Sequence, residues 1–270
     1  MTIPELSRLS LNQITTEKIS LQKTVDACVA EQVGWIGAWR HKIQPVAAAA
    51  KILRDAGLRV SSLCRGGFFP AATAGERKKR IEDNLRAIDE AAMIGAELLV
   101  LVCGPAPDRD LVGARAMVVD GLSQIVDHAR KSGVRLGIEP LHPMYAAERS
   151  VVVTLQQSNE MAAPFDADTV GVVLDVYHVW WDPQVYVEIA HTGRRIFAFH
   201  VSDWMVPTNS MLMSRGMMGQ GVIEIRRLRQ AVEEAGYCGP IEVEIFNEEV
   251  WQTPAREVIQ KVRACYLEAV

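Results

Sequence analysis

The chain has 270 residues, 49% of them apolar, and a formal net charge of −4. That length and apolar fraction supply a large core and are ordinary for one α/β barrel. The mild negative charge offers no electrostatic reason to bind nucleic acid, no apolar run reaches the ~18 residues of a membrane span, and MTIPELSRLSLNQ (1–13) lacks the basic head and apolar core of a signal peptide.

Short apolar runs alternate with longer amphipathic ones. RLSLNQI (8–14) reads as the first strand and SLQKTVDACVAEQ (20–32) as the first helix. GWIGAWR (34–40) is the second strand, followed by PVAAAAKILRDAG (45–57), a helix opened by Pro45 and closed by Gly57. LRVSSLCR (58–65) is the third strand. GERKKRIEDNLRAIDEAAMIGA (75–96) sets Ile81, Leu85, Ile88 and Ala92 on one helical face. ELLVLVCG (97–104) has the unbroken apolar character of a buried strand, and 109–133 is helical up to Gly133. RLGIEP (135–140), TVGVVLDVY (169–177), RIFAFHVSD (195–203) and PIEVEIF (240–246) supply four more strands, with helices at 154–163, 184–193, 224–236 and 254–268. Eight such strand–helix pairs predict one (β/α)8 TIM barrel spanning 1–270. An open doubly wound sheet loses to it because no Gly-rich dinucleotide loop follows the first strand. The five cysteines, odd in number and without a C-x-x-C pair, fit reduced thiols in a cytoplasmic protein.

In such a barrel the C-terminal strand ends surround one mouth, and catalysis sits there. Four consecutive strands end in polar residues: Glu139 in GIEP, Asp175 in LDVYH, His200 in FHVSD and Glu244 in VEIF. Alternation lets each point inward. Three unpaired carboxylates in one cavity repel one another and resist desolvation, and a divalent cation removes the conflict. Three oxygen donors and one nitrogen suit Mn²⁺ first, with Mg²⁺, Co²⁺ or Zn²⁺ as alternatives. Glu242 shares the face of Glu244 one layer deeper and needs a partner or a proton.

GIEPLHP, LDVYHVWW, FHVSDW, GMMGQGVIE and GPIEVEIF resemble the sugar phosphate isomerase/epimerase family, whose members share the xylose isomerase-like barrel. The resemblance spans the chain and is densest over 135–246. It implies Glu139, Asp175, His200 and Glu244 as ligands of one divalent metal. It further implies substrate contacts from His178 and from an Arg after the seventh strand, for which Arg215 is the candidate. Glu139 and Glu244 are then the candidate proton-transfer pair on a keto-sugar or inosose. One carboxylate on each face gives epimerisation, and one carboxylate shuttling the proton gives isomerisation. Loss of a leaving group from the next carbon gives a lyase or dehydratase instead.

Further expectations attach to single residues. His142 either points into the mouth or caps its loop. Asp203 either orients a ligand or binds Arg215. Trp39, Arg40, His41 and Arg65 end the second and third strands and wall a sugar pocket, while Trp180 and Trp181 serve that pocket or a homo-oligomer contact. Five methionines between Met205 and Met218 mark packing or a lid. The same barrel also serves abasic-site endonucleases, but their extra His ligands have no counterpart in LCRGG or LVCGP. A non-catalytic sugar-binding module would have no use for a metal beside two bases. No strong phosphate motif occurs, which favours a small unphosphorylated sugar or inositol derivative as partner, without nucleic acid or membrane.

Overall fold

The computed structural model describes residues 6–270. Eight parallel strands close into a barrel: β1 (Leu9–Asn12), β2 (Trp35–Trp39), β3 (Arg59–Gly67), β4 (Leu98–Val102), β5 (Arg135–Glu139), β6 (Val170–Asp175), β7 (Ile196–Val201) and β8 (Ile241–Val243). The barrel closes where β1 pairs with β8, Leu9 opposite Ile241 and Leu11 opposite Val243. Eight helices follow their strands: α1 (Leu21–Ala30), α2 (Val46–Asp55), α3 (Ala74–Ile94), α4 (Leu111–Ser132), α5 (Leu155–Ala162), α6 (Val185–Thr192), α7 (Ile225–Glu234) and α8 (Ala255–Ala269). Among the described residues no helix is long and apolar enough to cross a membrane.

The helix ends are written in local chemistry. Thr73 and Glu76 form a reciprocal capping box at the start of α3, and Gly95 ends that helix in the left-handed region at φ 72°. Ser20, Asp110 and Thr154 cap α1, α4 and α5 through side-chain oxygens. One core runs between barrel and helices, from Leu9 and Ile36 through Ile88, Leu122 and Leu155 to Val262 and Tyr266.

Several predicted strands overrun the observed ones, and at two of them a polar side chain captures the backbone at the mouth. The first stops at Asn12, whose Oδ1 accepts the N–H of Ile14 at 3.0 Å and starts a 3-10 turn. The sixth stops at Asp175, whose Oδ1 accepts from Tyr177 N at 2.9 Å and caps a one-turn helix. The seventh stops at Val201. Asp203–Trp204 then leaves the barrel to pair antiparallel with Arg215–Gly216.

β3 carries an irregularity between Cys64 and Gly66. It is held by Asn84 of α3, which accepts from Gly67 N at 2.6 Å and donates to Gly67 O at 2.8 Å. Gly67 has φ 97°, and a Cβ there would lie 2.0 Å from Val102 O. This clamp fixes the segment that presents Arg65. Asn84→Leu leaves both Gly67 groups buried without partners and is expected to lower stability by roughly 2–4 kcal/mol. Equilibrium urea unfolding measures this, and an unchanged midpoint would remove the clamp from the account.

Candidate metal centre

Glu139, Asp175, His200 and Glu244 stand at the C-terminal mouth of β5, β6, β7 and β8, and all four are buried. Each offers a donor atom, and these atoms all lie within 4.8 Å of one another. That span is about two metal–oxygen bonds of ~2.1–2.4 Å. β8 itself ends at Val243, yet Glu244 N still donates to Val201 O at 3.1 Å and Ile245 N to Thr15 Oγ1 at 3.0 Å. Glu244 is thereby held to the barrel beyond the formal strand end.

The electrostatics are those of a charge-crowded pocket. Burial, then the neighbouring Glu244 and Asp175, push the Glu139 carboxyl well above the usual carboxylate range. Burial carries Glu244 to about 7, against the pull of Arg215 and His200. For Asp175 burial acts upward, but Arg215, His178 and His200 outweigh it and hold the carboxyl below its ordinary value. Neither ring nitrogen of His200 has a hydrogen-bond partner, although both are buried. Its Nδ1 lies 3.7 Å from Glu139 Oε1 and its Nε2 lies 3.7 Å from Glu242 Oε1. Buried, mutually repelling oxygens beside an orphaned imidazole nitrogen fit a divalent cation.

Glu242 lies one layer deeper and is fully engaged. It accepts from Asn12 Nδ2 at 2.6 Å, Ser61 Oγ at 2.7 Å and Ser62 Oγ at 3.0 Å. The absence of a side chain at Gly37 makes its room, since a Cβ there would sit 2.0 Å from Glu242 Oε1. Glu242 thus stands behind the His200 ring, 3.7 Å from Nε2, without hydrogen-bonding it.

Arg215 reaches the same centre from the hairpin that follows β7. Its Nη1 donates to Asp175 Oδ2 at 2.7 Å and to Glu244 Oε2 at 3.1 Å. Its guanidinium lies over Tyr177 and Phe246, at 4.4 Å and 5.1 Å from the ring centres. His178 Nδ1 accepts from the backbone N–H of His142 at 3.2 Å. Its Nε2 stands 3.1 Å from Arg215 Nη2, which can only donate, and 3.7 Å from Asp175 Oδ2. Burial takes the His178 imidazole down to about 3 despite the nearby Asp175, so the ring is neutral.

A cleft open to solvent covers the centre and is lined by Glu139, Glu244, His178, Arg215, Trp39 and Arg65, together with Tyr145, Arg149, Leu212 and Phe246. His142 is not part of that lining. It packs against Trp181 and Trp204, and its Nδ1 accepts from Met144 N at 3.2 Å, so it caps its loop. Asp203 takes neither expected role: it accepts from the backbones of Trp204, Gly219 and Ile223 and ties down the loop carrying Arg215. Arg40 pairs with Asp83 and Glu90, and His41 with Glu17, beside the cleft. Trp181 Nε1 donates to His178 O at 2.8 Å, and Trp180 packs against the core. Of the loop methionines, Met217 and Met218 are buried, whereas Met211 is exposed.

Asn12, Tyr145, Arg149 and Phe246 escaped the sequence reading. Asn12 was signalled by the polar end of an apolar strand, the same signal that found Asp175. Arg149 had no such signal, because it comes from the irregular loop after β5.

The family model for the xylose isomerase-like TIM barrel matches residues 32–266. The solved structure of protein SMc04130 from Sinorhizobium meliloti 1021 is 44% identical, with a TM-score of 0.95, covering 98% of this chain and 99% of that one. A structure described as IOLI protein with a binding zinc atom is 22% identical, with a TM-score of 0.85, covering 97% of each chain. A 3-dehydroshikimate dehydratase from Pseudomonas putida is 30% identical over 194 residues, which are 68% of this chain and 29% of that protein. The inosose isomerase of Bacillus subtilis is 28% identical over 156 residues, 56% of this chain and 54% of that protein. The chain thus spans well under two thirds of the length of either curated relative.

If the four residues form a cation site, dialysis against EDTA lowers the melting temperature, and Mn²⁺ at about a hundred times its Kd restores roughly 5 °C. Asp175→Asn is expected to abolish that recovery in differential scanning calorimetry. Full recovery in the variant would place the ion elsewhere.

Proposed function

This chain belongs to the xylose isomerase-like TIM barrel family, and from that premise we propose that it is a divalent-metal-dependent sugar isomerase or epimerase. Its substrate is a keto-sugar or inosose, from which it removes a proton next to the carbonyl. The observation that supports this most is the coincidence of the four-donor cluster with two carboxylates, Glu139 and Glu244, that also line the cleft.

A divalent cation, Mn²⁺ by its donor set, held by Glu139, Asp175, His200 and Glu244 supplies Lewis-acid polarisation of the substrate carbonyl when bound. The chain's own residues do the rest. Glu139 and Glu244 remove and return the proton at the carbon beside that carbonyl. Their strands, β5 and β8, are separated by β6 and β7 in the barrel, so the two carboxylates approach the cleft from different sides. Use of both inverts a centre, and use of one moves the proton between neighbouring carbons. His178, in the cleft lining, hydrogen-bonds a substrate oxygen. Arg215 holds Asp175 and Glu244 in register. Trp39 and Phe246 wall the sugar ring and exclude water from it.

Dehydration begins with the same proton abstraction and differs by loss of a hydroxyl from the next carbon. The 3-dehydroshikimate dehydratase relative favours keeping this second reading. The inosose isomerase relative supports the first, and the metal of the similar IOLI structure is zinc.

Incubation of ketoses and inososes with the metal-loaded protein in D₂O is expected to place deuterium on the carbon next to the carbonyl, as read by proton NMR. Glu139→Gln and Glu244→Gln should each slow exchange by roughly 10²–10⁴-fold. Exchange surviving in both variants would mean that another group is the base. Formation of a dehydrated product would instead establish the second reading.

A further inference from the structure

We infer that the cleft takes a substrate bearing an oxyanion, a carboxylate or a phosphate ester, gripped by Arg65 and Arg149. This rests on the isomerase reading for the position of the reacting carbons.

The cleft lining carries three guanidiniums, from Arg65, Arg149 and Arg215. Arg215 is committed to Asp175 and Glu244. Among the described residues, the side chains of Arg65 and Arg149 make no hydrogen bond and no ion pair; each only stacks. Arg65 lies over Phe68 at 4.0 Å, and Arg149 over Tyr145 at 5.6 Å, measured to the ring centres. Asp83, which lines the neighbouring pocket with Arg65, is spoken for by Arg40. Burial first, opposed by Cys64 and then aided by the cationic Arg149, Arg40 and Arg80, pulls Arg65 below the ordinary arginine range. Arg65 therefore feels other guanidiniums around it and has no ion-pair partner of its own.

Both arginines are projected from fixed backbone. Arg65 belongs to β3. Arg149 N donates to Tyr145 O, and Arg149 O accepts from Gly104 N, each at 2.9 Å. Two pre-positioned planar forks facing a shared cavity are suited to bidentate recognition of a carboxylate or phosphate. The arrangement also serves the chemistry. A polyol presents many similar hydroxyls, and an anchored anion at one end decides which carbons lie over Glu139 and Glu244. The absence of a phosphate-cradling glycine loop in the sequence is no obstacle, since side chains supply the donors here.

The test is calorimetric binding to the metal-loaded protein of three matched keto-sugars: neutral D-fructose, D-fructose 6-phosphate and the carboxylate 5-keto-D-gluconate. The wild type is expected to prefer at least one anionic ligand over D-fructose by about tenfold or more. Arg65→Ala and Arg149→Ala should each cut the anionic-to-neutral affinity ratio by roughly tenfold. Arg65→Lys, which keeps the charge without the fork, should fall between, and thermal melting checks that each variant is folded. Preference for 5-keto-D-gluconate assigns a carboxylate, and preference for D-fructose 6-phosphate a phosphate ester; both support the inference. A wild-type ratio near one, or a ratio unmoved in both alanine variants, overturns it. Deuterium exchange is scored separately. Lost exchange with an arginine-dependent ratio sinks the isomerase reading alone, and normal exchange with an unmoved ratio sinks the anion site alone.

Discussion

Crowding of negative charge at the barrel mouth is the constraint around which the rest is arranged. Glu139, Asp175, Glu242 and Glu244 are all buried there, and among the described residues the only guanidinium bonded to them is that of Arg215. Isolated buried carboxylates cost several kcal/mol each unless paired, hydrogen-bonded or protonated. The chain uses each remedy. Asn12, Ser61 and Ser62 satisfy Glu242, Arg215 satisfies Asp175, and Glu139 and Glu244 are left with raised proton affinities. Two cation-hungry carboxylates and a histidine with two orphaned nitrogens remain. A divalent ion would meet both carboxylates and one of those nitrogens at once, which no single hydrogen bond does.

Much of this was legible in the sequence, and particular residues show why. Strand–helix alternation is a long-range signal repeated eight times, so small errors at each boundary do not disturb the count. Glu139, Asp175, His200 and Glu244 could be found because a polar residue at the end of an apolar strand is locally conspicuous and the barrel topology brings such ends together. Strand boundaries were less legible, because at Asn12 and Asp175 a side chain competes with the next strand partner for the backbone. Loop geometry was least legible. Asp203 follows its histidine at the spacing of a ligand-orienting residue, yet it spends its oxygens on three backbone N–H groups. Arg149 lies in irregular chain, held at the cleft by backbone bonds to Tyr145 and Gly104 that no strand or helix pattern signals.

The loop after β7 links the scaffold to the site. Asp203 pins its two ends together, Met217 and Met218 anchor it in the core, and Arg215 is delivered from it onto two of the four candidate ligands. Packing and electrostatics are thus coupled. Any motion of this loop moves the guanidinium that neutralises Asp175 and Glu244, and so alters what the remaining donors require.

The most direct test is a crystal of the protein grown with Mn²⁺, with anomalous diffraction recorded above and below the manganese edge. One peak enclosed by Glu139, Asp175, His200 and Glu244 is the expected result. No peak there, or a peak held by other residues, would contradict the assignment of this cluster as the metal centre and the proton chemistry built upon it.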